Sequence, residues 1–107
     1  MTTTLFSSHD INESEAKSFT LNDTAVFAVK QDGQIFLYEN SCPHIGIRLE
    51  FVENQFLDME KRFIQCSNHN ALFEIESGLC VSGPCNGKSL KPIPFEILDN
   101  RIVVNNI

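Results

Sequence analysis

Short apolar segments that come in pairs, each pair hinged on a turn-forming stretch, constrain this chain more than any other feature. Thr24–Lys30 (TAVFAVK) and Gln34–Tyr38 (QIFLY) flank Gln31-Asp32-Gly33, and Asp-Gly between β-branched and aromatic residues is a strong hairpin signal. Arg62–Cys66 (RFIQC) and Ala71–Ile75 (ALFEI) form a second pair around Ser67–Asn70. Ile93–Leu98 (IPFEIL) and Ile102–Asn105 (IVVN) flank Asp99-Asn100-Arg101 in a third. Pro92 and Pro94 make the strand entering that third turn an edge strand or one that starts late. Residues 11–18 and 53–60 are polar and too short for an independently stable helix, so they read as loops or single helical turns. The expectation is an all-β sandwich or small barrel.

With 107 residues and no repeat or low-complexity linker, the whole chain is expected to form one domain around one core. No apolar run is long enough to span a membrane. The opening MTTTLFSSHD lacks the positive flank and apolar core of a signal peptide. The expected setting is therefore the cytoplasm. Fourteen acidic against eight basic side chains give a formal charge of −6. A surface of that sign repels phosphate, which argues against nucleic acid and anionic membranes as partners. It favours basic or neutral proteins, and the acidic excess itself could steer docking to a basic reductase.

Four cysteines and three histidines stand out in a chain with a single tyrosine and no tryptophan. Two segments concentrate them: Cys42-Pro43-His44 and Cys66-Ser67-Asn68-His69. Each puts one thiolate donor and one imidazole donor beside a predicted strand, and Pro43 restricts the centre of the first. Two sulfur and two nitrogen ligands suit either one tetrahedral zinc or a [2Fe–2S] cluster with two cysteines on one iron and two histidines on the other. Zinc fingers pair like with like at each end. Here both ends are mixed, which is the arrangement in which each segment gives its cysteine to one iron and its histidine to the other.

These residues resemble the Rieske iron–sulfur family. Its pattern, Cys-x-His-x-Gly and later Cys-x-x-His, reads here as Cys42-Pro43-His44-Ile45-Gly46 and Cys66-Ser67-Asn68-His69. A Gly-Pro loop that covers the cluster in the family is matched by Ser82-Gly83-Pro84, and the strand and turn before it by Ala71-Leu72-Phe73 and Gly78. The resemblance spans about Thr24 to Val104. It implies a Rieske-type fold of stacked antiparallel sheets, three in number, with a small cluster-binding subdomain at about residues 40–86 of a single domain covering 1–107. It also implies one [2Fe–2S] cluster per chain, held by Cys42, His44, Cys66 and His69. The neutral imidazoles leave their iron more positive than the thiolate-bound one, so that iron takes the electron.

Departures from the family pattern are informative. Twenty-one residues separate His44 from Cys66, so Phe51–Arg62 is an expanded connection relative to compact members. Asn70 stands where a glycine usually follows the second histidine, and asparagine tolerates left-handed backbone. High-potential members carry a disulfide beside the cluster, and the matching positions here are Ile47 and Asn68. They also carry serine and tyrosine hydroxyls near the sulfurs, where this chain has Ala71 and Phe73. Missing donors leave more negative charge on the sulfurs, which points to the low end of the Rieske range of roughly −150 to +300 mV.

The function implied is that of a soluble Rieske-type ferredoxin, a monomeric one-electron carrier between a flavin reductase and an oxygenase. The chain lacks a mononuclear-iron domain, so it is expected to catalyse nothing alone. Alternatives are the small subunit of a nitrite-reductase-type complex and, from another class, a structural zinc-binding module. Cys80 and Cys85 are either a redox-active pair near the Gly-Pro loop or two small apolar residues packed beneath it, and a reducing cytosol favours the second. His9 reads as solvated. Phe51, Phe56, Leu57 and Met59 either form a docking patch or tuck the long connection onto the body, the latter being the commoner outcome.

Overall fold

The computed structural model describes residues 2–21, 23–41, 49, 56–66, 71–83 and 87–105. Among the described residues, nine strands form three antiparallel sheets of three strands each. One sheet holds β1 (Thr2–Ser7), β9 (Arg101–Asn105) and β8 (Glu96–Leu98), in that order. The central sheet runs β2 (Glu15–Leu21), β3 (Thr24–Gln31), β4 (Gln34–Glu39). The last runs β5 (Phe63–Gln65), β6 (Leu72–Glu74), β7 (Cys80–Ser82). A 3-10 turn, Ser8–Asp10, follows β1 and is capped by Ser7, whose hydroxyl accepts the His9 N–H. No α-helix occurs among the described residues.

The three hairpins expected from the turn signals are present. β3 and β4 pair from Val26↔Glu39 to Gln31↔Gln34, and Asp32 (φ 53°) and Gly33 (φ 75°) close them with two left-handed residues. That backbone matches the twist of the flanking strands. Glu13 secures the turn from outside, accepting the Asp32 N–H at 2.5 Å and the Gly33 N–H at 3.0 Å. Those two donors, Gly33 foremost, hold its carboxyl below the usual glutamate value. Asp99 (φ 51°) and Asn100 (φ 63°) turn β8 into β9 in the same way. β8 is both an edge strand and a late one, beginning after Pro92 and Pro94.

One segment departs from expectation. The polar composition of residues 11–18 points to a loop or helical turn, yet Glu15–Leu21 is a full strand, paired with β3 from Glu15↔Lys30 to Leu21↔Thr24. β2 lies at the sheet edge and only Ala16 is fully buried along it. An edge strand that buries so little needs no run of large apolar residues, so its composition looks like that of a loop.

The central sheet is covered on both faces, and β3 shows it directly. Val26, Phe27, Ala28 and Val29 are all buried in succession. Successive strand residues point to opposite faces. Val26 and Ala28, with Ile35 and Leu37 of β4, pack against Phe6, Ile102 and Val104 of the β1–β9–β8 sheet. Phe27 and Val29, with Tyr38, pack against Ile64, Phe73 and Cys80 of the β5–β6–β7 sheet. Ring pairs fill both cores: Phe6 stacks on Phe19 at 4.5 Å and Phe27 on Phe56 at 4.3 Å.

The long connection is tied to the body. Phe56 is fully buried, Leu57 packs against the same core, and Met59 is fully exposed. Phe56 and Asp58 also pair with β5 through Gln65 N–H to Phe56 O (2.7 Å) and Asp58 N–H to Phe63 O (3.0 Å). Phe51 lies outside the described residues.

Candidate metal centre

Cys66 directly follows β5, at the end of the described β5–β6 pairing. Pairing runs Phe63↔Glu74, Ile64↔Phe73, Gln65↔Leu72, and one step further the Cys66 N–H donates to Ala71 O at 2.9 Å. Cys66 and Ala71 are thus the last described pair of this ladder. Both are fully buried. Cys66 lies in the core shared with Phe27, Phe56, Ile64 and Phe73.

The segment carrying Cys42 and His44 leaves from the end of β4. Asn40 continues the β3–β4 ladder, its N–H donating to Ala25 O at 2.8 Å. Its side-chain Oδ1 accepts the N–H of Leu49 at 2.9 Å in a buried position. Asn40 and Leu49 therefore bracket the first segment as Cys66 and Ala71 bracket the second. Composition alone gave no reason to single out Asn40, since a polar residue after a strand reads as an ordinary loop residue.

The third family element approaches the second loop from β7. Gly83 (φ 105°) packs on Ala71 so closely that a β-carbon there would come within 2.8 Å of Ala71 Cα. Only glycine suits both the backbone conformation and the clearance. The described part of the Gly-Pro loop is thus seated on the base of the loop that carries Cys66. The close approach is legible in the sequence only as the Gly-Pro pair.

Tyr38 and Gly78 brace this end from below. Tyr38 donates its hydroxyl to Ile75 O at 2.6 Å, and its ring lies where a β-carbon on Gly78 would sit, 2.9 Å away. Burial, reinforced by the negative charge of Glu76, pushes the phenol up to about 12. Residues 88–93 then stitch the ligand-bearing sheet to the central one. Cys80 N–H donates to Lys88 O, Leu90 N–H to Gly78 O, Glu39 N–H to Lys91 O and Ile93 N–H to Leu37 O.

Of the four expected ligands, Cys66 is described; Cys42, His44 and His69 lie outside the described residues. Cys80 is buried, with its thiol 3.3 Å from the Ser82 carbonyl oxygen, as suits a packed residue; Cys85 lies outside the described set. His9 is exposed. Cys66, the described member of the expected donor set, is chemically suited to an iron–sulfur centre. Cys66 offers sulfur in dry surroundings, where a thiolate is tolerable only beside compensating positive charge.

The fold recurs in solved structures. A chain of the reduced complex between oxygenase and ferredoxin in carbazole 1,9a-dioxygenase matches 98% of this chain with a TM-score of 0.82 at 20% identity. This chain spans 28% of the length of that one. The ferredoxin of carbazole 1,9a-dioxygenase from Nocardioides aromaticivorans matches over 100% of this chain and 99% of its own, with a TM-score of 0.79 at 16% identity. A chain from the complex of reduced oxygenase and oxidized ferredoxin in carbazole 1,9a-dioxygenase gives 0.76 at 16% identity, covering 98% of this chain and 93% of that one. At these identities the likeness establishes the fold. The Rieske [2Fe-2S] domain family model matches residues 2–104. With its three antiparallel sheets and this match over nearly the whole chain, the chain belongs to the Rieske [2Fe-2S] domain family, which carries one [2Fe-2S] cluster per domain.

Proposed function

We propose that this chain is a Rieske-type ferredoxin, a one-electron carrier that accepts electrons from a flavin reductase and delivers them to an oxygenase. The observation that carries the reading is the placement of Cys66: fully buried, at the closed base of a hairpin, with Gly83 seated on the neighbouring Ala71. In this reading Cys42 and Cys66 hold one iron as thiolates, and His44 and His69 hold the other through imidazole nitrogens. The cluster, when bound, supplies a site that takes up and gives back one electron. The chain's own residues position and desolvate that site. Phe27, Phe56, Ile64 and Phe73 keep water from the Cys66 side, and the Asn40–Leu49 and Cys66–Ala71 hydrogen bonds tie the chain on either side of the expected ligands. An oxygenase as acceptor is supported by the structural neighbours, which are complexes of oxygenase and ferredoxin.

Residues 1–107 act as one Rieske domain in this proposal, with the cluster-binding part at about 40–86. No helix among the described residues is long and apolar enough to cross a membrane, and the proposed setting is the cytoplasm.

The test is an EPR spectrum of anaerobically purified, dithionite-reduced protein, with iron and acid-labile sulfide assayed on the same sample. Two irons and two sulfides per chain, with the lowered average g of a histidine-ligated cluster, are expected. Zinc or no metal after iron–sulfide reconstitution would refute the carrier and leave a binding module.

A further inference from the structure

We propose that Asn40 is a positioning residue for the cluster, its side-chain amide setting the gap between the two ends of the segment that bears Cys42 and His44. This rests on the carrier reading and deepens it.

Asn40 is 5% exposed and is the one polar residue of the buried set among the described residues. A buried amide is costly to keep unless its hydrogen-bonding groups are matched, so its contacts are informative. Its backbone N–H is fixed to Ala25 O at 2.8 Å, which holds its α-carbon to the central sheet. Its Oδ1 accepts from Leu49 N at 2.9 Å. Leu49 is fully buried in the core that also contains Cys66. The chain therefore leaves the rigid sheet at Asn40 and re-enters the Cys66 core at Leu49, and one side-chain acceptor joins the two points.

The second segment is tied differently. The Cys66 N–H to Ala71 O bond is made by backbone alone, so no side-chain hydrogen-bonding group is needed to make it. The tie across the first segment depends on one amide. A single substitution removes it and leaves the Leu49 N–H buried without that acceptor. In the proposed ligand set this segment gives one ligand to each iron, so a slack first segment is felt at both.

The experiment compares full-length wild type, Asn40→Ala, Asn40→Asp and Val104→Ala, all reconstituted with iron and sulfide. Val104 is buried in the opposite core, away from Cys66, and reports general destabilisation. Three quantities are read: the melting midpoint, the rate of cluster bleaching by a chelator, and the line shape of the reduced EPR spectrum. Asn40→Ala is expected to lose its cluster on the order of 10-fold faster than wild type, with g values broadened by a spread of geometries. Val104→Ala is expected to melt earlier with a wild-type line shape. Asn40→Asp keeps an acceptor oxygen in place and is expected to restore the narrow lines.

A wild-type line shape for Asn40→Ala, with bleaching no faster than that of Val104→Ala, would overturn the proposal. Should Asn40→Ala not fold, Asn40→Ser, whose hydroxyl is a shorter reach, takes its place in the same comparison with the same two outcomes. A wild-type protein that takes up no cluster removes the carrier reading and this inference together. A wild-type cluster indifferent to position 40 removes the inference alone.

Discussion

Gly83 lies against the backbone of Ala71, with 2.8 Å between the place its β-carbon would occupy and Ala71 Cα. Because position 83 also has φ of 105°, the substitution Gly83→Ala meets strain and collision at once. It is expected to cost about 1–3 kcal/mol from backbone strain alone. The collision with main-chain atoms, which cannot swing aside, adds to that. Urea denaturation of the folded protein measures the loss, and an unchanged midpoint would show that the loop yields without cost.

Phe56 and Met59 sit three residues apart on the same connection with opposite fates. Phe56 is fully buried and stacks on Phe27 with 8° between the ring planes, while Met59 is fully exposed. Phe56→Ala is expected to destabilise by about 3–5 kcal/mol, and Met59→Ala by no more than about 0.5 kcal/mol. Thermal melts of the two variants decide the matter. Equal, small effects would mean that the connection is not fastened by its aromatic ring.

Tyr38 is the chain's single tyrosine, so phenolate absorbance reports it alone. In the folded protein its titration is expected near about 12, raised from 10.0 by burial and then by Glu76. The neutral phenol is the form the fold favours. Between those two values the unfolded chain binds fewer protons than the native one, so stability falls as pH rises through that window. Tyr38→Phe removes the donor to Ile75 O and is expected to cost about 1–3 kcal/mol at neutral pH. A spectroscopic titration near the ordinary phenol value would contradict the buried placement.

Ala71 and Phe73 are both fully buried, and they put hydrocarbon where high-potential members of the family place hydroxyls. Without those donors, negative charge on the sulfurs is less stabilised and reduction is harder. Protein-film voltammetry is expected to give a negative potential, toward the low end of the range of roughly −150 to +300 mV. A clearly positive value would defeat this account.

What could be read directly from the residues was whatever depends on neighbours in sequence. Asp32-Gly33 and Asp99-Asn100 specify left-handed turns by their own chemistry, and both hairpins form there. Pro92 and Pro94 delay β8 because they cannot donate to a ladder. The Cys66-containing hairpin was visible because apolar strands flank its loop. β2 was not visible, since an edge strand with only Ala16 fully buried carries no apolar alternation. Neither were the ties that join distant parts of the chain, such as Tyr38 to Ile75 or Asn40 to Leu49. Their partners are chosen by packing, and no local pattern announces them.

The double-sided burial of β3 has a consequence for how this protein can change. Val26 and Ala28 belong to one core, Phe27 and Val29 to the other, so the central sheet acts as a partition between the core that holds Cys66 and the core under the β1–β9–β8 sheet. Substitutions deep in the two cores and well separated across it are expected to combine additively, whereas those in contact within one core are not. Ile97 and Leu98, exposed on the edge strand β8, therefore lie across that partition from Cys66, where a change of side chain leaves the packing around Cys66 untouched.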